Sequence, residues 1–292
     1  MTLPTFIVIG AAKAGTTALY WYLAEHPAVF MSPIKETNYF GYGVDDQGRL
    51  LYGDPDVHRF PVKTLEEYER LFSDVGDAAA VGEASPIYLE CPQAADRIRT
   101  LIPDVRLICS LRHPVDRAYS DYQMYLRRRS RRFDPARDLT ATSAWARPDS
   151  RWMQVGRYHE QLARYFDVFP REQIQVNLFD DLRRSPVAVT EGVYRFLGID
   201  PGFVPDFSTP HAAGGMPANR FLEAFLTKSA IRSVIAPLLP TGTANWIRRM
   251  RARNMQKAVP LPAELRKQLT EPLREDIIMT AKLIGRSLDH WL

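Results

Sequence analysis

Cysteine is scarce: Cys91 and Cys109 are the only two in 292 residues. Two cysteines cannot build a disulfide framework, and this pair is not spaced as a metal site. No apolar run approaches the ~18–20 residues that a membrane-spanning helix requires. The opening stretch, MTLPTFIVIG, has no basic start and no small-residue cleavage site after an apolar block. A secretory signal is therefore not expected, and a reducing cytoplasm is the expected location. Internal repeats and low-complexity tracts are also missing. Lysine is sparse too, with seven against 31 arginines.

What is present describes an ordinary globular chain. Hydrophobic residues make up 46% and charged residues 25%, which excludes a disordered or fibrous protein. A chain of this length buries about three quarters of its unfolded surface, so no covalent staple is needed. One domain over 1–292 is expected. The net charge of +4 comes from 38 basic and 34 acidic residues. Because arginine carries most of the positive charge, its planar fork permits an anionic ligand. Composition alone leaves nucleic acid, a membrane surface and an anionic metabolite open.

The pattern of the chain is that of an α/β fold. Phe6-Ile7-Val8-Ile9 is a short apolar run suited to a strand buried on both faces. Gly10 to Gly15 interrupts it, and Thr16 to Glu25 carries Leu19, Tyr22 and Leu23 at helical spacing. Further strands are predicted near 79–82, at 106–111 and at 174–178, with helices over about 115–129 and 187–197. Strands alternating with helices predict a single P-loop-like domain, a parallel β-sheet flanked by helices on both faces. Residues 208–219 are rich in glycine, proline and small side chains and read as a loop.

The first break carries chemistry. Gly10-Ala11-Ala12-Lys13-Ala14-Gly15-Thr16-Thr17 lies between strand and helix with the glycine spacing of a Walker A loop. Thr16 stands where that motif has lysine, and Lys13 sits three residues earlier. Such a turn aims backbone N–H groups and a helix N-terminus at one anion, with Lys13, Thr16 and Thr17 adding donors. A nucleoside triphosphatase also needs an acidic strand end to hold Mg²⁺. Here the strand RLICSL ends in Arg112, so a phosphate site without a metal is expected.

AAKAGTT resembles the phosphosulfate loop of sulfotransferases that use 3′-phosphoadenosine 5′-phosphosulfate (PAPS). The second signature of that family is an arginine at a strand end and a serine about two helical turns later. RLICSLRHPVDRAYSDY supplies Arg112 and Ser120. The resemblance implies a PAPS-dependent sulfotransferase of the heparan sulfate and carbohydrate branch. Its nucleotide would be held by Lys13, Ala14, Gly15, Thr16, Thr17, Arg112 and Ser120. In the late loop His211–Arg220, Arg220 would close over the nucleotide, with Gly214 and Gly215 as further equivalents.

Lys35-Glu36-Thr37-Asn38-Tyr39-Phe40 resembles the stretch that carries the catalytic glutamate in the heparan sulfate enzymes, and so implies Glu36 as the general base. His113 and His159 are rival bases by residue type. Val81 to Tyr88 matches the family pattern Glu-x-(Ser/Thr)-Pro-x-Tyr, but Ala84 stands where the heparan enzymes commonly have lysine. The site thus has one cation fewer than a heparan-like acceptor would meet. The resemblance implies a small-molecule or glycan acceptor and no nucleic acid.

Two basic stretches are left over. Arg127, Arg128, Arg129, Arg131 and Arg132 extend the helix of Ser120, either as a solvated helix end or as a surface for an acidic acceptor. Residues 221–257 mix apolar and basic side chains, as a packed helix, an acceptor wall or a peripheral membrane contact would. A P-loop kinase or nucleotidase, and a non-catalytic nucleotide-binding protein, remain the alternatives.

Overall fold

The computed structural model describes residues 2–43, 50, 59–129, 131–208, 216–217, 255–256 and 259–292. Arg220, the loop glycines Gly214 and Gly215, and most of segment 221–257 lie outside the described residues.

Five parallel strands form the main sheet. They are β1 (Phe6–Gly10), β2 (Val29–Met31), β3 (Ala80–Ala84), β4 (Arg106–Leu111) and β5 (Ile174–Leu178), in the order β2-β3-β1-β4-β5. The register pairs Ile7 with Glu83 on one side and with Leu107 on the other. The sequence missed β2 because three residues are too few to show a period. A two-residue antiparallel pair, Met216–Pro217 with Met255–Gln256, lies apart.

Alternation along β1 divides the interior. Ile7 and Ile9 enter one core with Leu107, Leu111 and Tyr165, while Phe6 and Val8 enter the other with Leu19, Leu23 and Val193. Helix α1 (Thr16–Glu25) packs in the second core. The helices α2 (Leu65–Arg70), α3 (Ile87–Glu90), α4 (Ala94–Leu101) and α5 (Pro114–Arg128) contribute to the first. After α6 (Pro135–Asp138), α7 (Arg151–Gln154) and α8 (Tyr158–Val168), the chain enters β5, then α9 (Phe179–Arg184) and α10 (Pro186–Leu197). Helices Ala263–Thr270 and Arg274–Ile284 close it. Both sheet faces are covered, as parallel strands require.

The chain leaves β1 toward the β2 side and leaves β4 toward β5. The direction of winding therefore reverses between β1 and β4, and the carboxyl ends of those two strands frame the crevice where such sheets bind ligands.

Candidate active site

The loop Gly10–Gly15 emerges from β1 into this crevice. It is anchored at both ends: Ala11 N donates to Ser110 O at 2.8 Å, and Ser110 Oγ donates to Ala14 O at 2.7 Å. Lys13 takes a left-handed backbone conformation, with φ of 69°. Gly15 is the N-cap of α1, and no side chain caps this helix. Among the described residues no backbone carbonyl takes the N–H groups of Gly15, Thr16 or Thr17. Open donors at a helix start are what an anion needs.

Gly15 cannot be another residue without cost. Its φ is 89°, and an added Cβ would stand 2.8 Å from Leu182 Cδ2 and 3.0 Å from Phe179 Cδ2. Gly15→Ala should destabilise the protein by about 1–3 kcal/mol, read from urea unfolding, because it adds backbone strain to a clash with α9.

Arg112 follows β4. Its Nη1 donates to Lys13 O at 3.2 Å, its guanidinium lies 4.9 Å from the centre of the Phe179 ring, and its carbonyl accepts from Tyr158 Oη at 2.8 Å. The contact with Lys13 O joins two signatures 99 residues apart. Burial, opposed by Asp116 and Tyr158, pushes the Arg112 guanidinium below its usual value. Ser120 lies half buried on α5.

Lys13 reaches across to α5, where its Nζ meets Met124 Sδ at 3.4 Å. A thioether is a weak acceptor, so the ammonium has little to offset its lost hydration. Burial pushes its pKa down to about 8; Asp121 opposes this, while Arg127, Arg112 and Arg128 reinforce it.

Glu36 sits on the loop after β2, with φ of 64°. Its N–H donates to Ala84 O at 3.0 Å, and Lys35 Nζ pairs with its carboxylate at 2.7 Å. Burial alone would raise the Glu36 carboxyl, but Lys35, with Arg128 and Lys13 behind it, holds it below the ordinary range. The carboxylate is thus ionised at neutral pH and half exposed toward the crevice, and it feels the charge of Lys13.

The loop of Glu36 rests on a carboxylate that does not face the site. Glu83 is fully buried, and its two oxygens accept from four hydroxyls, those of Thr37, Ser85, Tyr68 and Tyr88. The hydroxyl oxygens in turn take the loop N–H groups of Asn38, Tyr39 and Phe40. Burial still pushes the Glu83 carboxyl up, against those four donors. Sequence alone placed Glu83 only within a family pattern, because its partners come from three segments, at Thr37, Tyr68 and Ser85 to Tyr88.

Of the rival bases, His113 is otherwise engaged. His113 is buried, its Nδ1 accepts from Val115 N at 3.2 Å, and its Nε2 meets Trp291 O at 2.9 Å. Burial pushes its pKa down to about 4. It caps α5 and ties the C-terminus to the turn after Arg112. His159 lies at the start of α8, where its backbone N–H donates to Asp276 Oδ1 at 3.3 Å. Ala84 is fully buried and brings no cation to the site. The basic end of α5 lies near enough to the loop for Arg127 and Arg128 to act on Lys13. No group of His, Cys, Asp or Glu among the described residues could hold a metal ion. No described helix is long and apolar enough to cross a membrane.

A parallel sheet of this order, with a glycine-bounded loop after its central strand and an arginine after the next, defines a P-loop-like fold. A model of the sulfotransferase family matches residues 4–203, and the chain belongs to that family. The solved sulfotransferase of Alicyclobacillus acidocaldarius is 30% identical, with a TM-score of 0.70, over 100% of this chain and 99% of that one. The mouse bifunctional heparan sulfate N-deacetylase/N-sulfotransferase 4 is 29% identical over 309 residues, 99% of this chain and 31% of the relative. A membrane-associated sulfotransferase of Dictyostelium discoideum is 35% identical over 122 residues, 42% of this chain and 23% of the relative. The chain thus spans about a third or less of the length of these curated relatives.

Proposed function

We propose that the protein transfers a sulfuryl group from PAPS to a hydroxyl or amine of a carbohydrate, glycolipid or natural-product acceptor, as one catalytic unit over 1–292 in the cytoplasm. The observation that carries this reading is the hydrogen bond from Arg112 Nη1 to Lys13 O, which sets both phosphate signatures around one uncapped helix start. Lys13, Ala14, Gly15, Thr16 and Thr17 would hold the 5′-phosphosulfate, and Arg112 and Ser120 the 3′-phosphate. Arg220 belongs to the same proposal but lies outside the described residues.

In the proposed reaction Glu36 takes the acceptor's proton as its oxygen or nitrogen attacks sulfur. A new bond to sulfur forms, the bond from sulfur to the 5′-phosphate oxygen breaks, and adenosine 3′,5′-bisphosphate leaves. Lys13 and the loop N–H groups stabilise the charge that gathers on the bridging oxygen and departing phosphate. Fixed donors of this kind suffice for a leaving group already held as an anion, so the residues need no Mg²⁺ to complete the site.

Thermal shift separates this reading from a kinase. Adenosine 3′,5′-bisphosphate at a hundredfold excess over its Kd should raise Tm by about 5 °C. ATP with Mg²⁺ should do much less, and Arg112→Ala should abolish most of the bisphosphate effect. A larger shift with ATP and Mg²⁺ would make the protein a kinase or nucleotidase. Bisphosphate binding without transfer of labelled sulfate to any acceptor in a cell extract would make it a binding protein.

A further inference from the structure

Phe179 is the first residue of α9, and Arg183 follows it by one turn, on the same side of the helix. The Phe179 ring forms a wall of the anion loop, since it would stand 3.0 Å from a Cβ at position 15. Two guanidiniums lie against this ring: the Arg112 Cζ lies 4.9 Å from its centre and the Arg183 Cζ lies 6.0 Å away.

The carboxylates of α9 do not balance that pair. Asp181 is bound to Arg286 at 2.6 Å, and Asp180 accepts from Trp291 Nε1 at 3.2 Å and lies 3.4 Å from His290. Both acids are drawn to the C-terminal tail. Asp116, the carboxylate that acts on Arg112, is itself paired with Arg266 at 3.1 Å. Arg183 makes no ion pair among the described residues and is exposed, so its fork is available to a ligand. Arg112 and Arg183 also repel each other. An anion that both forks reach removes that repulsion and gains a second planar fork.

We propose that Arg183 is the second arm of the 3′-phosphate clamp, held with Arg112 against the Phe179 ring, and that it makes the enzyme select nucleotides bearing a 3′-phosphate. This rests on the reading that Arg112 meets the 3′-phosphate. A cation in the last turn of α9 also suits the helix dipole, but that role has no reason to depend on the ligand.

The test is a pair of calorimetric titrations, with adenosine 3′,5′-bisphosphate and with adenosine 5′-phosphosulfate, which lacks the 3′-phosphate. Arg183→Ala should weaken the first by about tenfold or more and leave the second within about twofold. Arg183→Lys should recover part of the loss, and the loss should shrink in high salt. Equal losses for both nucleotides, or no loss for either, would overturn the proposal. Arg112→Ala in the same titrations tells the two failures apart. If it collapses the preference and Arg183→Ala does not, the second arm is wrong. If neither variant changes the preference, the 3′-phosphate site itself is misplaced and the proposal falls with it.

Discussion

Glu36→Gln should bind adenosine 3′,5′-bisphosphate with near-normal affinity and lose about 10²–10⁴-fold in kcat, the usual worth of a positioned general base. The amide keeps the size of the carboxylate, and the backbone bond from Glu36 N to Ala84 O does not depend on the side chain. Lys13 and Arg112 are also left in place, so nucleotide binding has no reason to fall. Only the ability to take a proton is removed. The carboxyl is held below its ordinary value, so it is competent at neutral pH and is lost only as pH falls through that depressed value. The acid limb of the rate profile should therefore lie at unusually low pH and vanish in the variant. Calorimetry with the bisphosphate and chromatography of the sulfated product check both halves. A variant with kcat within tenfold of the parent would remove Glu36 from the role of base.

Lys13→Ala should lower kcat/KM for PAPS by about 10²–10³-fold, as loss of a donor at a developing anion does. Lys13 is the group expected to titrate on the alkaline side. Its pKa in the free protein is about 8, and its protonated form is the useful one. Activity that depends on it is therefore full below that value and is lost as pH rises through about 8. This limb should appear in kcat/KM, which reports the free enzyme. In kcat it should lie higher, because bound phosphate favours the ammonium. The Ala variant should show no such limb, and a parent enzyme with kcat/KM flat to pH 10 would show that Lys13 is not needed in charged form.

Much of this site was legible because its residues are local. The loop Gly10–Thr17 and the strand end at Arg112 are continuous stretches, and glycine spacing or a strand terminus announces each of them. Helix α1 runs over Thr16–Glu25 as its periodicity predicted, and α5 and α10 begin one residue earlier than expected. What the sequence could not supply is contact between distant segments. Met124 beside Lys13, the α9 wall of Phe179 and Leu182, and the tail of Trp291 against His113 all join residues over 100 positions apart or facing a glycine. Hydrophobic pattern carries no record of such pairings. The acceptor is the least legible part, because the residues that would meet it have no fixed spacing.

The cluster around Glu83 bears on timing. Each of the four hydroxyls commits its one proton to this carboxylate, so none of them is free to rotate and offer it elsewhere. The oxygens of three of them, Ser85, Thr37 and Tyr88, then accept from N–H groups that follow Glu36 in the loop. The loop thus has one hydrogen-bonding pattern before any acceptor arrives. Its conformational entropy is surrendered when the chain folds and need not be surrendered again at each encounter. On the proposed role of Glu36, an acceptor of any class meets a base already fixed in place, so turnover should depend on how the acceptor orients itself and little on reorganisation of the enzyme around Glu36.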